Sequence, residues 1–336
     1  MLNRRQALGM ATGAIMVALM GAIAADSRLA GSARAETLDK VVHIIVGFPA
    51  GGGTDITARV LAQALQGSYA SSIIVENRPG ASARLAVEYV KNAAADGSIM
   101  LFTPDFPMTL YPSSFKALKY DPLEDFIAVG PVTTGALVLS IGPAVPAQVK
   151  TLQDFIAWAK ANPGQANIAD TSAGATPHFT GVMLAHEAKI KLTPVHYRGG
   201  APAMEDLIGG HVPASVNPVS EVMAFAKAGS IRALAVTGSK RVPFLPDVPT
   251  MKEQGFDVVV ESLPGVFVPA KTPAPVVAAL NAAMRKAVAS QDVIGSLAKF
   301  GTEPASMTTA EYTAWIKKEI ARWGPVVKAS GFQALE

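Results

Sequence analysis

Short apolar runs rich in β-branched residues alternate along this chain with stretches in which apolar residues return every third or fourth position, the pattern of strands alternating with helices. Val41, Val42, Ile44, Ile45 and Val46 read as a strand buried on both faces. Ile56, Val60, Leu61, Ala64 and Leu65 then recur at helical spacing until Gly67 stops the helix, with Thr54 or Asp55 as the expected N-cap. A strand over 73–75, a helix marked by Leu85, Tyr89 and Val90, and a strand over 99–102 ending in Thr103-Pro104-Asp105 complete a βαβαβ order, which calls for a parallel sheet. Residues 111–131 are proline-rich and read as irregular. At 137–141 a strand restarts, and the chain is expected to cross there into a second domain.

The second unit repeats the alternation. Thr151 and Asp154 form a capping box before a helix closed by Asn162-Pro163-Gly164. Strands are expected over 167–169, 192–195, 214–216 and 233–237, and helices over 178–188, 202–208 and 219–228. The proline-bounded run 264–269 has the form of a return crossing. Helices over 275–289 and 293–300, and one capped by Thr308 or Thr309 and running to about 328, are expected to pack back on the first domain. Two α/β domains joined by two crossings enclose a hinged cleft, and ligands sit at the carboxyl ends of such strands.

The stretch Gly47-Phe48-Pro49-Ala50-Gly51-Gly52-Gly53-Thr54-Asp55 lies at one such end. Glycines remove the side chains that would hold a ligand off the backbone, and the free N–H groups and dipole of the following helix favour an anion. It is not a phosphate loop of the Walker type, because Thr54-Asp55 follows Gly53 where a lysine is needed. A dinucleotide fingerprint fits slightly better. Glu76 stands at about the distance of a ribose-binding acid, although Ile56 occupies the place of the third glycine. An exported dinucleotide-dependent oxidoreductase therefore remains the alternative reading.

The amino terminus changes the charge argument. Arg4-Arg5 precede an apolar, glycine-interrupted run, and Ala33-Arg34-Ala35 suits a signal peptidase, so residues 1–35 read as a signal peptide of the twin-arginine type cleaved after Ala35. Four of the 29 basic residues (Arg4, Arg5, Arg28 and Arg34) but only Asp26 of the 26 acids precede Glu36. The chain from Glu36 onward is formally neutral, so its overall basicity gives no support to a nucleic-acid partner. With no cysteine, disulfides, thiolate metal sites and a cysteine nucleophile are excluded. Half of all residues are hydrophobic, enough to build two cores.

Two more loops carry candidate chemistry. Asp170-Thr171-Ser172-Ala173-Gly174-Ala175-Thr176-Pro177 offers either a second set of donors across the cleft or ordinary N-capping. Tyr197-Arg198-Gly199-Gly200 offers an aromatic edge, a cation and approachable backbone, or merely a surface turn. Catalysis finds little support: there is no G-x-S-x-G elbow, and Ile190 fills the second histidine position after His186-Glu187. The five histidines are scattered, so no metal site is expected, and Asp55 reads as a cap or orienting group.

Taken in order, Phe48-Pro49-Ala50-Gly51-Gly52-Gly53-Thr54-Asp55, Val75-Glu76-Asn77-Arg78-Pro79-Gly80-Ala81, Tyr120-Asp121-Pro122, Tyr197-Arg198-Gly199-Gly200-Ala201-Pro202-Ala203, Leu234-Ala235-Val236-Thr237 and Leu245-Pro246-Asp247-Val248-Pro249-Thr250 resemble the Bug family. These are extracytoplasmic solute receptors of tripartite tricarboxylate transporters. The resemblance implies a periplasmic, monomeric, two-domain α/β binding protein that takes a small carboxylate (a dicarboxylate, tricarboxylate or aromatic acid), needs no cofactor, and can deliver to a membrane transporter. It implies domain I over 36–135 and 262–336 and domain II over 136–261. By the family pattern, Phe48, Ala50, Gly51, Gly52, Gly53, Thr54 and Asp55 face Thr171, Ser172, Ala173, Gly174, Thr176 and His178 around the ligand, with Thr103 at the third strand's end and Tyr197 and Gly199 closing the site. Arg84 replaces a usual Asn or Thr, Pro177-His178-Phe179 replaces Ser-His-His, and Asn217 replaces a frequent Asp. An acid lost and Arg84 gained point to an acidic rather than an amino-bearing ligand.

Overall fold

The structure is a computed structural model that describes residues 38–332; the expected signal peptide lies outside the described residues. In chain order the first elements are β1 (Leu38–Val46), α1 (Gly53–Leu65), β2 (Ala70–Asn77), α2 (Arg84–Lys91), β3 (Ile99–Thr103), the single turns α3 (Phe106–Thr109) and α4 (Tyr111–Ser114), β4 (Phe126–Pro131) and β5 (Thr133–Ile141). Then come α5 (Leu152–Ala161), β6 (Asn167–Asp170), α6 (Thr176–Ala188), β7 (Thr193–His196), α7 (Gly200–Ile208), β8 (Ala214–Pro218), α8 (Val219–Lys227) and β9 (Arg232–Val236). The chain ends with β10 (Glu261–Ser262), β11 (Gly265–Pro269), α9 (Ala274–Val288), α10 (Gln291–Ala298), β12 (Glu303–Pro304) and α11 (Thr309–Ser330).

Two sheets result. The first has the order β2-β1-β3-β11-β4, with β1 parallel to β2 and β3 as its βαβαβ pattern requires. Its other half differs from the all-parallel expectation, because β11 runs antiparallel to both β3 and β4. The segment read as irregular supplies β4 and the helical turn α4. Prolines at the start of α3 and α4 are tolerated there because the first N–H groups of a helix have no partner to lose. The second sheet runs β10-β5-β8-β6-β7, and β9 and β12 also pair with β5.

The nine-residue β5 joins the lobes. Its first residues pair with β12 and β10, and from Leu137 onward it pairs with β8 in the second sheet. The outgoing and returning crossings thus lie side by side as antiparallel strands, a geometry that lets two sheets rock while their hydrogen bonds persist.

The terminal helix α11 packs on the first domain as expected and reaches further, spanning both lobes. Tyr312 and Ile316 pack with Val87, Leu101 and Phe267, whereas Trp323 and Val327 enter the cluster of Phe155, Phe179 and Leu184. Thr308 does cap this helix, in a reciprocal box with Glu311.

Candidate functional site

A cavity of about 150 Å³ opens between the sheets. Four strand-to-helix junctions reach it: Gly52-Gly53-Thr54 at α1, Thr176-Pro177 at α6, Gly199-Gly200-Ala201 at α7 and Val219-Ser220-Glu221 at α8. In none of these four helices does the N-cap side chain take a first-turn N–H, as it would in an ordinary cap. Four uncapped N-termini around one small space create a positive potential without a single lysine. Phe48, Phe102, Phe106 and Leu137 supply apolar walls, which exclude water and strengthen polar contacts made inside.

The α1 junction is held by Asp55. The expected N-cap at Thr54 or Asp55 is in fact Gly52, and Asp55 lies within the first turn, buried, where it accepts the Gly51 N–H at 2.9 Å and the Asn77 Nδ2–H at 2.9 Å. Arg59, one helical turn on, donates to the same carboxylate. Burial would raise this acid, but hydrogen bonds from Arg59, Gly51 and Asn77 outweigh it and hold the carboxyl below its ordinary value. The loop turns at Gly51, whose φ of 86° is the left-handed conformation glycine tolerates.

The α6 and α7 junctions are tied together. Gly199 N–H donates to the Thr171 carbonyl and Tyr197 N–H to that of Asp170. Gly199 is the N-cap of α7 at φ 115°, again accessible to glycine. Beneath them Asp170 accepts the Ser172 N–H and pairs with His196 at 2.8 Å. Burial pushes Asp170 up, and the Asp170 hydrogen bond raises His196. His178 accepts the Gly174 N–H at Nδ1, and burial followed by the neighbouring His196 pushes it down to about 4.

Of the residues singled out from sequence, Phe48, Ala50, Gly52, Gly53, Thr54, Thr171, Thr176 and Gly199 line the cavity. Gly51, Asp55, Ser172, Ala173, Gly174 and His178 lie in the supporting layer. Tyr197 turns its hydroxyl to Asp206, and Thr103 is buried at the end of β3. Arg84 lies away from the cavity: its Nε donates to the Ala81 carbonyl and its guanidinium stacks over Phe115 at 4.1 Å. Asn217 sits behind the wall, giving its amide to Glu221. The charge argument for an acidic ligand drawn from Arg84 and Asn217 therefore falls, since Glu221 puts an acid in the cavity and Arg84 is elsewhere. Glu76, the candidate ribose ligand, pairs with Arg78 outside the cavity, which removes the support for a dinucleotide.

Sequence reasoning missed Ser220 and Glu221, the hinge residues Thr133 and Thr134, and Gly301-Thr302. The first pair could have been found by treating the junction after β8 like the other three strand-to-helix junctions.

Two α/β lobes joined by paired crossing strands, with helix N-termini turned into the space between them, define the periplasmic binding protein class. Residues 57–332 match the family described as tripartite tricarboxylate transporter family receptor (TctC), and the chain belongs to that family of solute receptors. It is 31% identical to Protein BugT of Bordetella pertussis, covering 94% of this chain and 97% of that one. Among solved structures it is similar to R. palustris Rpa4515 with adipate (30% identity, TM-score 0.83, 88% of this chain and 98% of that one). It is also similar to MatC from Rhodopseudomonas palustris with bound malate (28% identity, TM-score 0.79, 85% and 98%). None of the described helices is long and apolar enough to cross a membrane.

Proposed function

We propose that this chain is a non-enzymatic periplasmic receptor that captures a small carboxylate in the cavity and passes it to a tripartite tricarboxylate transporter. The observation that carries the reading is the convergence of four uncapped helix N-termini on one apolar-walled cavity, into which the buried Thr176 hydroxyl, without a hydrogen-bond partner among the described residues, is free to donate. A buried hydroxyl left unpaired costs free energy, and a ligand oxygen is the partner that would satisfy it. The adipate and malate of the related structures support the carboxylate class.

In this reading Gly53 and Thr54 of one lobe and Thr171, Thr176 and Gly199 of the other hold the carboxylate, and the lobes divide at residues 136 and 261. The protein works as a monomer without a cofactor, and export removes residues 1–35, which N-terminal sequencing of the secreted form checks. The function is tested by thermal shift against mono-, di- and tricarboxylates and aromatic acids, with amino acids and sugars as controls. A bound acid at a hundred times its Kd should add about 2.7 kcal/mol. Replacing that acid by its primary amide should weaken binding at least about tenfold, because charge-assisted bonds are lost. Stabilisation by a neutral sugar and by no acid refutes the reading.

A further inference from the structure

The seat that the helix N-termini build already has a carboxylate in it. Among the described residues, Arg198 and Glu221 are the two ionisable side chains that line the cavity. Glu221 stands in the first turn of α8 and reaches across the space between the lobes, where its side chain faces Gly53, the first residue of α1, whose N–H favours the charged carboxylate. The Asn217 Nδ2–H donates to Oε2 at 2.9 Å, and Ser215 hydrogen-bonds Asn217 Oδ1, which fixes the amide with its NH₂ toward Glu221. The same carboxylate lies against Gly200, the first residue of α7, where a Cβ would collide with both of its oxygens. A glycine at this position is what allows the acid to come so near.

Among the described residues no cation forms a salt bridge with it. The charged groups on the packed elements are Asp55 and Arg59 of α1, which pair with each other, Glu205 and Asp206 of α7, of which Asp206 takes the Tyr197 hydroxyl, Arg198 before α7, Lys227 at the far end of α8, and Lys299 and Glu303 beside Gly301. None of these hydrogen-bonds Glu221 among the described residues. Burial raises the acid above its ordinary value, opposed by the Asn217 amide and the Gly53 N–H.

We propose that Glu221 is an internal competitor for the ligand's carboxylate: it holds the Gly53 donor in the unliganded protein, and a ligand acid enters only as Glu221 gives up that donor or takes a proton. The inference rests on the reading that Gly53 seats a carboxylate. Two carboxylates at one donor repel, and a proton shared between them removes the repulsion, as in any close pair of acids. The sign of the pH dependence follows. Glu221 is charged and competing at alkaline pH, becomes neutral as pH falls through its raised value, and ligand affinity should rise on that descent until the ligand itself protonates.

The test is calorimetric titration of adipate and of malate into the wild type, Glu221→Gln and Glu221→Ala at about pH 8 and at a lower pH, the direction in which a glutamate raised by burial gives up its charge. The expected result is that both variants bind about tenfold more tightly than the wild type at the higher pH, with the gap narrowing at the lower, corresponding to about 1.4 kcal/mol. The alanine variant covers the case in which glutamine fails to fold, and circular dichroism checks both. An acid that binds wild type and variants equally overturns this inference alone, leaving Glu221 as a first-turn acid that serves its own helix dipole. Weaker binding by the variants also overturns it and makes Glu221 a direct partner of the ligand. If neither acid binds any of the three proteins, the carboxylate seat itself fails and this inference falls with it.

Discussion

Replacing Asp55 by asparagine should loosen the glycine loop and destabilise the protein by about 3 kcal/mol. Asparagine keeps the shape, but one carboxylate oxygen becomes an NH₂ that faces donors instead of accepting from them. The buried carboxylate takes the Gly51 N–H and the Asn77 amide, each at 2.9 Å, and charge-assisted bonds of this kind are worth about 1.5–3 kcal/mol each. The Arg59 pair adds less than about 1 kcal/mol, because the arginine side chain is 53% exposed and screened by water. Some of the loss is recovered through the remaining oxygen, which leaves about 3 kcal/mol and a fall in Tm of about 6 °C for a chain of this size. The acid's lowered value fixes the pH dependence: its contribution is present above the ordinary carboxylate value of 3.8 and disappears as pH falls through the lower folded value. Urea unfolding at neutral pH and in acid, with a ligand titration on the same samples, measures both consequences. A loss below about 1 kcal/mol together with unchanged affinity would refute the claim that Asp55 holds the loop in its binding shape.

Two further substitutions probe different terms. Thr176→Val removes the unpartnered hydroxyl at nearly constant volume, so stability should hold or rise slightly while the affinity for a bound acid falls about tenfold; unchanged affinity in a titration would show that the hydroxyl does not meet the ligand. Asp105, buried beside the second crossing, is pushed up to about 6 by burial, with the Ser262 hydroxyl opposing and Glu319 adding to the rise. Its neutral form is the favoured one, so stability from this group is complete below 3.8 and declines as pH rises through about 6, by about 3 kcal/mol in all at roughly 1.4 kcal/mol per pH unit. Asp105→Asn should flatten that decline between about pH 4 and pH 6, and parallel melting curves for the two proteins would contradict it.

The strands and helices of the first sheet were legible in the sequence wherever one pattern ran uninterrupted. Val42, Ile44, Ile45 and Val46 are all fully buried, as a strand covered on both faces requires, whereas Val41, also read as buried, is 46% exposed near the strand's start. β4 escaped notice because Phe126, Ala128 and Val129 sit among prolines and acids, and its place is fixed by pairing with β11, more than a hundred residues away in sequence. The span of α11 across both lobes was equally hidden. Helical periodicity shows that Tyr312, Ile316, Trp323 and Val327 share an apolar face, but which cores that face enters depends on tertiary packing.

The site was legible to the extent that glycine and hydroxyl residues at strand ends mark exposed backbone donors, and eight residues chosen on that ground line the cavity. Arg84 illustrates the limit. A cation beside a candidate site invites an electrostatic role, yet its side chain is taken by the Phe115 ring and the Ala81 carbonyl after a turn in which Ala81, Ser82 and Ala83 all have positive φ, a conformation sequence pattern does not foretell at three non-glycine residues. Glu221 illustrates the converse. Within its own helix it is an unremarkable first-turn acid, favourable at a helix N-terminus and therefore no signal of function. Only when folding brings Gly53 and Gly200 against it, from helices that begin more than a hundred residues apart, does the same carboxylate become a group that any incoming acid must meet.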